Sequence, residues 1–273
     1  MKVGYQGIKG AYSESAIYKH FGNSAEAIGF GISEEVFEAV ATGEVDFGLL
    51  PFENTIAGSV APNYDLLLQN EVKVIAEVFL RINHCLLSNK GAAMKDIKTV
   101  YSHHHALEQC RKFIQKNKFR AIPEYDTAGA AKIVKERNRI DEAAISSEYC
   151  AQIYGLEILE KNIQAINNNT TKFLVFVKSG KAPEKLKKEK TSIAFRIRHI
   201  PGALITCLQR VAKHNINLTM LQSRPIPDDP WDCIFYADLD GGIDDENVAL
   251  ALSEMEASSL FLKVLGSYPQ GKP

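Results

Sequence analysis

An α/β protein in two lobes with a cleft between them, followed by a smaller α+β unit, is the fold class the sequence predicts, on three observations. Strand and helix patterns alternate over residues 1–178. Residues 179–190 are rich in lysine, carry Gly180 and Pro183 and have almost no apolar side chains, the composition of a solvated linker. Over residues 191–273 the order changes to β, α, β, β, α, β, a split βαβ pattern of the ferredoxin-like kind. The length of 273 residues fits two units at the usual ~100 to 200 residues each.

The elements follow in order. Lys2 to Tyr5 reads as a strand, and Ser13 is expected to cap a helix ending at Phe21. Glu26 to Gly29 is a short strand; Ser33 opens a helix whose Val36, Phe37, Val40 and Ala41 share one face before Gly43 stops it. Phe47 to Leu50 is an apolar strand that Pro51 is expected to end, and a helix follows near Pro62 to Gln69. From Val72 to Ile82 every even position is apolar, the pattern of a long half-buried strand.

A second series then begins: strand Thr99 to Ser102, helix Ala106 to Asn117, strand Ala121 to Tyr125, helix Thr127 to Lys135, strand Ala143 to Ser146 and helix Ser147 to Tyr154. The pattern returns to an apolar strand at Phe173 to Val177. One long strand out and one back predict a first lobe of about residues 1–80 and 163–178, with a second lobe of about 81–162 inserted between. In the last unit, strands are expected at Ser192 to Arg198, Asn217 to Arg224, Trp231 to Leu239 and Phe261 to Tyr268, with helices at Ala203 to Lys213 and Asp244 to Ser258.

Composition narrows the function. A net charge of -1 gives no electrostatic footprint for nucleic acid. No long apolar span predicts a membrane segment, and no charged-then-apolar leader opens the chain, so a cytoplasmic protein is expected. Cys85, Cys110, Cys150, Cys207 and Cys233 are scattered and odd in number, which predicts reduced, mostly buried thiols. His103, His104 and His105 are adjacent, point in different directions and lack a spaced carboxylate or cysteine set, so no metal site is expected.

The run Gly48 to Val60 sets Glu53, Asn54 and Thr55 just beyond a buried strand, where open α/β sheets bind ligands. The same residue types also serve as turn and helix-cap residues. Thr127 and Ser147 likewise suit either a cleft contact or a helix N-cap.

Four segments together resemble the prephenate dehydratase family: Gly7-Ile8-Lys9-Gly10-Ala11-Tyr12-Ser13-Glu14, Leu50-Pro51-Phe52-Glu53-Asn54-Thr55, Ser102-His103-His104-His105-Ala106-Leu107-Glu108-Gln109-Cys110 and Asn169-Thr170-Thr171-Lys172-Phe173. The last is similar to that family's Asn-x-Thr-Arg-Phe signature, with Lys172 where the family has arginine and Thr55 where serine is usual. Asp126 to Ala131 and Ala143 to Ser147 resemble the family's second-lobe cleft segments. The resemblance implies a two-lobed fold of the periplasmic-binding-protein kind. It also implies that Thr171 carries the chemistry and that Glu53, Asn54, Thr55, Ser102, Thr127, Ser147, Lys172 and Phe173 contact substrate.

The C-terminal unit resembles a phenylalanine-binding ACT domain. His199-Ile200-Pro201-Gly202-Ala203-Leu204 is similar to the Gly-Ala-Leu motif, and Asn217 to Pro225 to an Asn-Leu-Thr run followed by Glu-Ser-Arg-Pro, with Gln222 in place of glutamate. The effector contacts so implied are Gly202, Ala203, Leu204, Asn217, Gln222, Ser223, Arg224 and Pro225. Gly202 at a strand-to-helix turn would let a ligand approach the backbone, or would simply meet the turn's dihedral needs.

The implied reaction removes the ring hydroxyl and a carboxylate of prephenate, giving phenylpyruvate, water and CO₂. Aromatisation drives it, so no cofactor is expected. L-phenylalanine is the implied feedback inhibitor and a homodimer or dimer of dimers the implied assembly. Arogenate dehydratase, the same elimination on the aminated substrate, and a non-catalytic small-molecule sensor are the alternatives.

Overall fold

The computed structural model describes residues 1–183, 185–226 and 229–272; Glu184 of the expected linker lies outside them. The first lobe opens with β1 (Lys2–Gln6), α1 (Tyr12–Phe21), β2 (Glu26–Phe30), α2 (Ser33–Thr42), β3 (Phe47–Asn54), β4 (Gly58–Ser59), α3 (Ala61–Gln69) and β5 (Val72–Arg81). The second holds β6 (Cys85–Ser88), β7 (Thr99–His103), α4 (His104–Gln109), α5 (Arg111–Lys116), β8 (Arg120–Glu124), α6 (Thr127–Arg137), β9 (Glu142–Ser146), α7 (Glu148–Tyr154) and β10 (Glu157–Lys161). β11 (Thr170–Lys178) returns to the first lobe between β5 and β3, antiparallel to both. The C-terminal unit is β12 (Lys190–Arg196), α8 (Ala203–Lys213), β13 (Leu218–Ile226), β14 (Asp229–Asp240), α9 (Glu246–Ser258) and β15 (Phe261–Tyr268). The fold is thus the predicted one: two α/β lobes of the periplasmic-binding-protein kind and a ferredoxin-like βαββαβ unit.

Among the described residues one sheet of ten strands runs β13-β14-β12-β15-β5-β11-β3-β1-β2, with β4 paired to β3, so the C-terminal sheet continues into that of the first lobe. The join is a single parallel pairing, Gly266 with Val74. The second lobe's sheet is β10-β6-β9-β7-β8. One apolar cluster spans both lobes, bringing Tyr5, Leu49 and Val175 together with Leu87, Ala131 and Cys150. Another joins Phe37, Phe52 and Tyr64 of the first lobe to Tyr236, Leu265 and Tyr268 of the C-terminal unit. No helix among the described residues is long and apolar enough to cross a membrane.

Several local expectations change. Pro51 does not end its strand: β3 continues to Asn54, because one extra residue in β3, Phe52, between the partners of Lys172 and Phe173 makes a bulge that accommodates a residue with no N–H to donate. The even positions of β5 do not mark one half-buried face. A second shift, opposite Val175 and Phe176, turns Val72 and Val74 toward one core cluster and Ala76 and Val78 toward the other, so the strand is buried on both sides. Ser13 is not a cap: α1 starts at Tyr12, and Glu14 reaches back to accept the Gly10 N–H at 2.5 Å. The helix expected at Ala106 to Asn117 is α4 and α5, separated at Cys110. β6 and β10 have no counterpart in the sequence reading. β12 begins at Lys190, the last residue of the expected linker, and Ala182 and Leu186 pack against the core.

Candidate active site

A cleft of about 850 Å³ lies between the two lobes, and the strand ends and helix starts of both face it. Thr171 enters from β11, opposite Asn54 at the end of β3. The Asn54 side-chain oxygen accepts the backbone N–H groups of Ile56 at 3.0 Å and Ala57 at 2.8 Å, which fixes the direction of its amide. Its amide nitrogen therefore donates, to Thr171 Oγ1 at 3.0 Å and to Asn169 Oδ1 at 2.7 Å. Thr171 accepts on its oxygen, and its own hydrogen is left without an acceptor among the described residues.

The polar chain runs on into the second lobe. Asn169 Nδ2 donates to Gln109 Oε1 at 2.9 Å, and His84 Nε2 lies 2.8 Å from the same oxygen. An amide oxygen only accepts, so His84 carries its proton on Nε2 and leaves Nδ1 to face the Tyr12 hydroxyl at 3.0 Å. His84 is 2% exposed, and burial pulls its imidazole below the usual histidine range, so it is neutral. Burial also pushes the Tyr12 phenol up. These amides cannot pass a proton along; the chain orients Thr171 and does not relay.

At the far wall Asp126, not Thr127, caps α6: its Oδ1 accepts the Gly129 N–H. Its Oδ2 is buried without a hydrogen-bond partner among the described residues, and burial raises the carboxyl above its ordinary value. His103 and His105 line the cleft beside it, and burial lowers the His103 imidazole. Among the described residues Lys and Arg are absent from the lining, so the N-terminus of α1, reaching it at Tyr12 and Ser13, supplies positive potential there, while the Asp126 carboxyl group offsets that of α6.

Of the residues singled out in the sequence, the cleft brings together Thr171, Asn54, Thr127 and Phe173. The others lie elsewhere. Thr55 Oγ1 donates to Asn168 O at 2.9 Å and accepts from Thr170 N at 3.0 Å, pinning the two strand ends. Ser102 is fully buried and donates to Ile145 O at 2.5 Å between β7 and β9. Ser147 caps α7 by accepting the Cys150 N–H at 3.1 Å. Lys172, one residue along from Thr171, projects through the opposite face of the sheet to Asp238 at 3.2 Å and Glu53 at 2.9 Å. Burial pulls its ammonium down, but Asp238, Tyr64 and Glu53 outweigh that and hold it raised.

The family model for prephenate dehydratase matches residues 3–181. The chain belongs to the prephenate dehydratase family. The chloroplastic arogenate dehydratase/prephenate dehydratase 2 of Arabidopsis thaliana is 41% identical over 278 residues, covering 98% of this chain and 73% of the relative. Prephenate dehydratase from Arthrobacter aurescens, solved in complex with L-Phe, superposes with a TM-score of 0.90 at 28% identity, over 99% of this chain and 90% of its own. The quorum-quenching acylase GqqA superposes with a TM-score of 0.91 at 30% identity, over 100% of this chain and 99% of its own. The protein is a dehydratase, a carbon–oxygen lyase of aromatic amino-acid biosynthesis.

The cleft of this dehydratase is also lined by residues that sequence reasoning passed over. Tyr12, Gln109 and Asn169 stood within the quoted segments without a role, and His84 in none of them. Their signal is spatial: each is a polar side chain whose partner lies tens of residues away, as His84 and Gln109 are.

In the C-terminal unit of the enzyme a cavity of about 550 Å³ is lined by residues 197–205 with Asp232, Cys233 and Phe235. Gly202, Ala203 and Leu204 belong to it; Asn217, Gln222, Ser223, Arg224 and Pro225 do not. Gly202 has φ +81° and open space around its α-carbon, so the backbone conformation and not a close approach calls for glycine. Arg224 pairs instead with Asp65 of α3 at 2.6 Å, and Asn217 donates to Asp240 at 3.1 Å.

Proposed function

We propose that the enzyme converts prephenate to phenylpyruvate, water and CO₂, with Thr171 hydrogen-bonding the departing ring hydroxyl. The observation that carries this is the donated bond from Asn54 to Thr171, which leaves the threonine hydrogen as the one to be given. As the ring C–O bond breaks, the electron pair of the bond to the carboxylate closes the aromatic ring and CO₂ departs. The leaving hydroxide becomes water with a proton delivered at Thr171 and replaced from solvent. Positioned proton donation of this kind is worth ~10² to 10⁴ in rate. Thr127 and the N-terminus of α1 contact the carboxylates, Asn54 has its amide taken up in orienting Thr171, and Phe173 forms an apolar wall.

Arogenate is the second substrate, and one observation favours it: the buried Asp126 oxygen without a partner suits an ammonium group. Comparing kcat/KM on both substrates tests the pair. Thr171→Ala is expected to lower kcat by ~10² or more with KM nearly unchanged, and Thr171→Ser to keep substantial turnover. Asp126→Asn retains the cap and should lower turnover of arogenate more than that of prephenate. Near-normal turnover by Thr171→Ala would remove Thr171 from this role.

The C-terminal unit, read as an ACT domain, binds L-phenylalanine in the 550 Å³ cavity and inhibits the enzyme. Support comes from the complex with L-Phe of the Arthrobacter relative, whose likeness extends over the whole chain. The coupling expected is ~5- to 150-fold in affinity. The edge strand β13 and its exposed Leu221 suit pairing with a second copy, so the enzyme works as at least a homodimer. Its five unpaired cysteines suit the cytoplasm.

A further inference from the structure

We propose that Lys172 is a positioning residue through which the C-terminal unit sets the Thr171 hydroxyl, by way of its ion pair with Asp238. The inference rests on the reading that the cleft is catalytic and that phenylalanine acts at the C-terminal unit.

Alternation along β11 sends Thr171 into the cleft and Lys172 out through the other face of the sheet. There Lys172, 7% exposed, meets Asp238, 3% exposed, at 3.2 Å. Its second partner, Glu53 on β3, is half exposed and cannot replace a buried counterion. Asp238 is held in turn: its Oδ1 accepts the Ser192 hydroxyl at 2.6 Å, and Ser192 Oγ lies 2.6 Å from the Tyr268 hydroxyl. Three strands of the C-terminal unit, β14, β12 and β15, thus converge on one lysine that is the covalent neighbour of Thr171.

The same strand reaches the effector cavity. β14 lines it with Asp232, Cys233 and Phe235, and Asp238 lies three residues beyond Phe235. The cavity's other wall, Ile197 and Arg198, directly follows β12, which carries Ser192. A ligand that shifts these strands moves Asp238, and Lys172 cannot stay behind without leaving a buried ammonium poorly paired. The pairing of β11 with β3 can yield here, because β3 carries one extra residue, Phe52, between Pro51 and Glu53, the partners of Phe173 and Lys172. The ion pair is not what holds the unit in place. Lys190 with Glu77 at 2.7 Å, Arg224 with Asp65 at 2.6 Å and the Lys73 ammonium donating to Val264 O at 2.5 Å join the same two bodies.

The test uses the full-length enzyme and the variants Asp238→Asn, Lys172→Met and Lys172→Arg, measuring L-phenylalanine affinity by calorimetry and prephenate turnover with and without L-phenylalanine. Asp238→Asn and Lys172→Met are expected to bind phenylalanine normally while its effect on turnover falls from ~5-fold or more to about none. Their basal kcat should fall severalfold with KM unchanged, and Lys172→Arg, which restores a cation, should recover both. A wild-type response to phenylalanine that both variants leave intact overturns the inference alone. A wild-type enzyme that turns over neither prephenate nor arogenate, or ignores phenylalanine, overturns the reading and the inference with it. Should Lys172→Met fail to fold, the comparison of Asp238→Asn with Lys172→Arg decides the matter.

Discussion

The side-chain amide of Asn54 donates a 3.0 Å hydrogen bond to the hydroxyl oxygen of Thr171, and the direction of that bond decides what the threonine can do. A hydroxyl that accepts from its neighbour has its own hydrogen to give. The direction is imposed by the backbone N–H groups of Ile56 and Ala57, which occupy the amide oxygen.

Asn54→Asp therefore tests polarity with little change of shape. The carboxylate would accept from Thr171 and draw the hydroxyl hydrogen away from the cleft. A fall in kcat of ~10² or more is expected, with a smaller change in KM, and Asn54→Ala should be less damaging than Asn54→Asp. Steady-state kinetics of the two variants check the order; the reverse order would remove the amide's directing role.

The buried His84 makes stability depend on pH. Its pKa is lowered in the folded state by burial, so between that value and ~6.5 the unfolded chain binds the extra proton. Stability is complete above ~6.5 and declines as the pH falls through that value toward the folded pKa. His20 and His103, also lowered by burial, add to the same trend. Urea midpoints at pH 7.5 and 5.5 should differ, and His84→Gln, which keeps a side-chain donor, should narrow the difference. An unchanged difference in the variant would show that His84 contributes none of it.

Gly266 makes the join between the two sheets possible. A β-carbon there would collide with the Val74 carbonyl oxygen, which is backbone and cannot turn aside. Gly266→Ala should cost about 1 to 3 kcal/mol as the strands part, typical of overpacking at a tight contact. Hydrogen exchange over β5 should quicken and the response to phenylalanine weaken, while Gly180→Ala, where a β-carbon meets open space, should change neither.

What was legible in the sequence is local. Periodicity and turn residues placed most strands and helices within a few positions, because burying one face of an element imposes its own period on the chain. The out-and-back strands, read as Val72 to Ile82 and Phe173 to Val177, foretold two lobes, and the quoted motifs already contained Thr171 and Asn54, which meet in the cleft. β6 and β10 escaped because they are short and their pairing lies across the second lobe.

The sequence by itself determined the order of elements, the two lobes with a third unit, and which threonine stands at the strand end. Only the tertiary structure decided where the polar side chains point. Lys172 faces the C-terminal unit and not the cleft because neighbours on a strand point to opposite faces and Thr171 takes the cleft side. Ser102 and Thr55 became backbone ties, and His84 and Gln109 became partners of the site. The physical reason is that a hydrogen bond needs its partner within about 3 Å. Which groups come that close is settled by the folding of distant segments onto one another.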